Sequence, residues 1–182
     1  MDANNIEKKV VVEGKFEDVV EIKSDDKGTK NTGETPNQYN IYYMTQPMKK
    51  LCDELIRKSN GDHLQFSKEL FHWAEANIKY QDNHNLTHYK TAREVFNSKS
   101  GICGEMAILF NAFCKYVGIE NSFVQVEIDN TGVAVNHACS AIKINNELIL
   151  VDVAYHTYRI SHQKWTIVSD KQLMINMINW NL

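Results

Sequence analysis

No apolar run in this 182-residue chain approaches the roughly 20 residues a membrane-crossing helix needs; the longest, Met106 to Phe110, is little more than one helical turn. No membrane association is expected. Cysteine is sparse: Cys52, Cys103, Cys114 and Cys139 are far apart and form no CxxC pair, in a chain long enough to fold around a core without a disulfide framework. They read as free thiols. Charge of either sign is not in large excess; a net charge of −3 gives no general field to attract phosphate backbones, so nucleic acid is not an expected partner. Nor is the composition that of a disordered chain, at 43% hydrophobic and 24% charged. The opening MDANNIEKKV carries charge but no apolar stretch followed by small residues, so no secretory signal is read there and the expected location is cytoplasmic.

What is present reads as one domain with an N-terminal extension. Residues 1–40 combine a strand-like arm (Val10 to Val12, Phe16, Val19, Val20, Ile22) with a run of turn formers, Ser24 to Gln38, that reads as a flexible linker; residues 41–182 hold the rest. From Thr45 the spacing becomes helical. Thr45 stands at a cap position, Pro47 in a first turn, and Met48, Leu51, Cys52, Leu55 and Ile56 fall on one face. A second stripe, Phe66, Leu70, Trp73, Ala74 and Ile78, predicts a helix ending near Tyr80, and Thr91 with Glu94 makes a capping-box pattern before a short helix over 92–96.

The strongest helical pattern runs from Cys103 to Val117, with Gly118 where a left-handed C-terminal cap belongs. Beyond it the period changes to two. Residues 123–128 form one predicted strand, and residues 137–144 and 147–154 an antiparallel pair about Asn145-Asn146. Helices first and strands second argue for an α+β domain: N-terminal helices packed on a mainly antiparallel sheet. Trp165, Ile167 and Val168 suit a further strand, and Leu173 to Trp180 a terminal helix or strand packed over the sheet.

Cys103 lies at the predicted start of the long helix, where unpaired backbone N–H groups and the helix dipole favour a thiolate, the reactive form of the group. The same N–H groups can stabilise an oxyanion, and Gly101 and Gly104 leave room for a substrate carbonyl. The strand pair offers a base. With Asn145-Asn146 as the turn, paired residue numbers sum to 291, so His137 faces Ala154, Cys139 faces Asp152, and His137 and Asp152 become diagonal neighbours with Cα atoms on the order of 7 to 8 Å apart. An aspartate there can fix the imidazole tautomer and leave the other ring nitrogen for the thiol.

At these residues the chain resembles the transglutaminase-like superfamily, whose members share a papain-like Cys, His, Asp triad in that chain order. The matching pieces are Phe71-His72-Trp73 with Ile78-Lys79-Tyr80, the stretch Thr91 to Phe96, the run Gly101 to Phe110 with Phe113-Cys114 and Val117 to Ile119 behind it, His137-Ala138, and Val151-Asp152. The resemblance spans about residues 64–155. It implies a papain-like core and acyl transfer through a thioester. Cys103 would attack an amide or isopeptide carbonyl of a protein or peptide, His137 would move the proton, and Asp152 would orient His137. Water as acceptor makes a peptidase or amidase, the favoured reading; an amine makes a transglutaminase. Two positions depart from the pattern: Cys139 stands where many members carry an aromatic residue and Leu148 where they carry tryptophan, which bears on substrate choice and leaves the role of Cys139 open.

No cofactor is expected, and no metal: His84 and His88 are four apart with Asp82 nearby, but the segment between them reads as polar loop and no further ligand completes a site. Asn85-Leu86-Thr87 also fits a glycosylation acceptor, expected to be silent without a signal. The alternative, from a different class, is an inactive transglutaminase-like module that binds a protein or peptide through the same cleft. Nothing in the sequence speaks to the oligomeric state.

Overall fold

The computed structural model describes residues 40–81 and 88–180, with side chains through Met177. The N-terminal arm and linker, Asp82, His84 and the Asn85-Leu86-Thr87 pattern lie outside the described residues. Helix α1 (Gln46–Lys58) turns Met48, Cys52 and Leu55 inward, as their spacing requires. Thr45 stands at its N-cap, yet its hydroxyl makes no capping bond and is buried without a partner among the described residues. In α2 (His63–Asn77) Asp62 caps the first turn by accepting from the Gln65 N–H at 2.7 Å. This helix stops at Asn77 rather than near Tyr80, because the chain goes on to pair: β1 (Lys79–Tyr80) runs parallel to β2 (Ser100–Gly101). Between them α3 (Ala92–Ser98) starts with the expected capping box, the Glu94 carboxylate accepting from both the Thr91 N–H and hydroxyl.

Helix α4 (Cys103–Tyr116) is buried on every side from Gly104 to Cys114, which makes it the central helix and not one with a single apolar face. Gly118 follows with φ +79°, the left-handed conformation glycine adopts without strain. Then come β3 (Glu120–Ile128), β4 (Ala134–Ile144), β5 (Glu147–Asp152), β6 (Thr157–Tyr158), β7 (Lys164–Val168) and the terminal helix α5 (Asp170–Trp180). Strands β3 to β7 form an antiparallel sheet in the order β6-β5-β4-β3-β7. The architecture is the expected α+β one, helices packed on a mainly antiparallel sheet. One sheet face carries Phe123, Ala138, Ile142 and Ile149 against the helices, whose Phe66, Leu70, Phe110 and Phe113 fill the main core. The opposite face gathers Val124, Val126, Cys139, Ala141 and Leu150 under Ile160. The aromatic stripe of α2 is core as well: Trp73 stacks on Phe96 at 5.8 Å and packs against Phe113 at 5.6 Å. No helix among the described residues is long and apolar enough to cross a membrane.

The β4–β5 hairpin has the register that a two-residue Asn145-Asn146 turn imposes, from Ile144 opposite Glu147 to Ser140 opposite Val151. Both asparagines have positive φ, 53° and 63°, as a type I′ turn demands. Strand β5 is two residues shorter than expected. It ends at Asp152, which pairs with Thr157 of β6, because Val153 to His156 form a turn closed by the His156 N–H on the Val153 carbonyl. Ala154 therefore does not face His137.

Candidate active site

Cys103 is the first residue of α4, partly exposed, with Ile102 at the N-cap. An isoleucine cannot cap, so the acceptor comes from within the helix: Glu105 turns back and its carboxylate accepts from the Ile102 N–H at 3.0 Å and the Lys90 N–H at 2.8 Å. Its position in the first turn also suits the positive end of the helix dipole. Glu105 is 1% exposed, a buried acid held by main-chain donors that ties the 89–91 segment to the start of α4.

This arrangement corrects the role expected of the glycines. The space beside Gly104 is filled by the Tyr89 hydroxyl, 1.7 Å from where a Cβ would stand, with the Phe123 ring at 3.3 Å. A Cβ on Gly101 would press on Glu105 at 3.1 Å. Both glycines make room for the protein's own side chains at the helix start, not for a substrate carbonyl.

His137 lies near the start of β4, directly after an irregularity in the ladder. It pairs with Val126, whereas Ala134 pairs with Ile128, so Val135 and Asn136 stand opposite the single residue Glu127. A bulge of this kind re-aims the neighbouring side chain. Gln125 braces it, donating to the Asn136 side chain at 3.0 Å and the His137 carbonyl at 3.2 Å. The ring of His137 reaches Asp152 across the sheet, Nε2 to Oδ2 at 2.6 Å, and the Cys103 side chain lies close enough to bear on its charge. The structure thus brings Cys103, His137 and Asp152 together from α4, β4 and the end of β5.

Burial pulls the His137 imidazole down, but the hydrogen bond to Asp152, the nearby Cys103 side chain and the charges of both outweigh it and hold the group up at about 9. Asp152 is its counterpart. Burial raises it, while the bonds from His137 and His162, the His137 charge and the Tyr155 N–H together leave it below the usual carboxylate range. Tyr155 stacks on the His137 ring at 4.3 Å and 28°, donates its N–H to Asp152 Oδ1 at 2.9 Å, and directs its hydroxyl to Asp129 at 3.4 Å. The turn that carries Asp129 is fixed in turn by bonds from Thr131 and Val133 to its other oxygen.

The sequence reading did not find His162. Its side chain is fully buried and its Nε2 lies 3.1 Å from the Asp152 oxygen that His137 also uses. No periodicity or spacing marks it, since it lies in the irregular segment between β6 and β7. His137, Asp152 and His162 place ligand-type atoms within 4.8 Å of one another, but both imidazole Nε2 atoms point at one carboxylate oxygen at hydrogen-bond distance, an arrangement that protons between them account for. His88 pairs with Glu94 at 3.4 Å. Cys139 is buried on the sheet face opposite the helices, where burial and the Asp152 and Cys103 charges push its thiol up.

No curated protein matches the sequence. Among solved structures the chain is similar to a candidate cysteine protease from Cytophaga hutchinsonii, with 14% identity over 71% of this chain and 50% of that one and a TM-score of 0.49. It is similar too to LapG of Legionella pneumophila, with 13% identity over 65% of this chain and 70% of that one, TM-score 0.49. A third, a TGase, shares 12% identity over 71% of this chain and 37% of its own, TM-score 0.42. The chain thus spans half the length of the Cytophaga protein. A family model described as a transglutaminase-like domain matches residues 46–179, beyond the 64–155 stretch that carries the motif resemblance, and the chain belongs to that family.

Proposed function

We propose that the chain is a cysteine hydrolase acting on an amide or isopeptide bond of a protein or peptide, through a thioester on Cys103. The observation that carries the reading is one imidazole set beside both of its partners. His137 holds Asp152 at 2.6 Å through Nε2 and lies within electrostatic reach of the thiol of a cysteine that opens a buried helix. Family membership supports a cysteine-dependent activity at that level.

In the proposed reaction His137 takes the Cys103 proton, and the thiolate adds to the carbonyl carbon. The oxyanion forms beside the N–H groups of the first turn of α4. Collapse breaks the C–N bond as the imidazolium passes its proton to the leaving amine. Water, deprotonated by His137, then cleaves the thioester and releases the acid and the thiol. An amine in place of water would make the same site a crosslinking transferase. Asp152 keeps the Nε2–H tautomer, so that Nδ1 faces the sulfur throughout.

The test is incubation with unfolded protein substrates, with and without a labelled primary amine, read by mass spectrometry of products and of the intact enzyme. Cleavage or deamidation and a transient acyl adduct on Cys103, all absent in Cys103→Ala, are expected. Amine incorporation without hydrolysis would reassign the acceptor; a chain that forms no adduct yet retains peptides would be the inactive binding module.

A further inference from the structure

We infer that His162 is a positioning residue for this site, holding the Asp152 carboxylate in the orientation that His137 requires; the inference rests on the acyl-transfer reading above. A carboxylate with 1% side-chain exposure keeps its direction only if its oxygens are occupied. On Asp152 the Tyr155 N–H takes Oδ1 at 2.9 Å, and two imidazoles converge on Oδ2, His137 at 2.6 Å and His162 at 3.1 Å. The Nδ1 of His162 is buried and has no hydrogen-bond partner among the described residues. A proton there would be a buried donor without an acceptor, so the proton belongs on Nε2, which donates to Asp152.

His162 is itself held on both sides. Two residues before it, the Ile160 N–H donates to the Leu150 carbonyl of β5 at 3.2 Å; one residue after it, the Gln163 N–H donates to the carbonyls of Ile128 at 3.1 Å and Asp129 at 3.3 Å. Its ring meets His137 edge-on at 5.8 Å and Tyr155 at 5.7 Å, so three rings enclose one carboxylate. Such a group touches no reacting atom. It acts by fixing Oδ2, the atom against which the His137 ring is oriented toward Cys103.

The test is iodoacetamide alkylation of Cys103 at neutral pH in the full chain, with the downfield proton resonance of the His137–Asp152 hydrogen bond recorded on the same samples. His162→Phe should slow alkylation by about tenfold or more and displace or broaden the resonance. His162→Gln can set its amide nitrogen where Nε2 stands and should recover most of both; His162→Asn, whose amide corresponds to Nδ1, should not. A folded His162→Phe chain with the native rate and an unmoved resonance would overturn the inference. If that variant does not fold, identical behaviour of the Gln and Asn variants overturns it instead. If native Cys103 alkylates no faster than in His137→Ala, the acyl-transfer reading is what fails, and the resonance in the Gln and Asn pair still decides whether His162 orients Asp152.

Discussion

His137 and Asp152 are displaced in opposite directions by the same bond, which fixes how their contribution to stability depends on pH. His137 is held at about 9 in the folded chain, above an ordinary value of about 6.5, so its contribution is complete below about 6.5 and is lost as pH rises through 9. Asp152 is lowered, so its contribution is present above the ordinary value of about 4 and is lost as pH falls through the folded one. The melting temperature of the native chain should therefore exceed that of His137→Gln by most between about pH 5 and 6.5, and the gap should narrow by pH 9 to 10, in calorimetry across that range. Gly104→Ala probes the neighbouring contact. A methyl group 1.7 Å from the Tyr89 hydroxyl cannot be accommodated without moving the ring, so a loss of about 1 to 3 kcal/mol is expected in denaturant unfolding.

One element that carries the site and one that packs on α4 can each be altered by itself. Asn146 has φ +63° in the turn that sets the β4–β5 register. Asn146→Gly should keep or raise stability by up to about 1 kcal/mol, and Asn146→Val should lower it, both read by thermal unfolding. At α3, Thr91→Ala removes one half of the capping box and should cost about 1 kcal/mol in the same measurement. Much of this level was legible in the sequence because it is local. The helix periods, the Thr91–Glu94 box, Gly118 and the Asn145-Asn146 turn are written in neighbouring residues. The early end of β5, the parallel β1–β2 pair and the bulge before His137 were not, because each depends on where a distant strand docks. The glycines flanking Cys103 were misread for the same reason: what fills their space, Tyr89 and Glu105, is decided by folding of the 89–91 segment onto α4.

At the scale of the molecule the main core, among the described residues, runs from Ile41 to Met177. The candidate site exists only in that whole, since α4, β4 and β5 each supply one of its three residues. Cys103, His137 and Asp152 could be named from sequence through a helix start, a hairpin register and a family resemblance. Tyr155 and His162 could not, for nothing local distinguishes a tyrosine and a histidine in irregular segments from surface residues until Asp152 lies between them. The central claim is that His137 activates the Cys103 thiol, and the most direct measurement is the alkylation rate of Cys103 at pH 7 in the native chain and in folded His137→Ala. The account predicts a native rate at least about tenfold the higher of the two, with Cys52, Cys114 and Cys139 slower still. Equal, slow rates in both chains would contradict it.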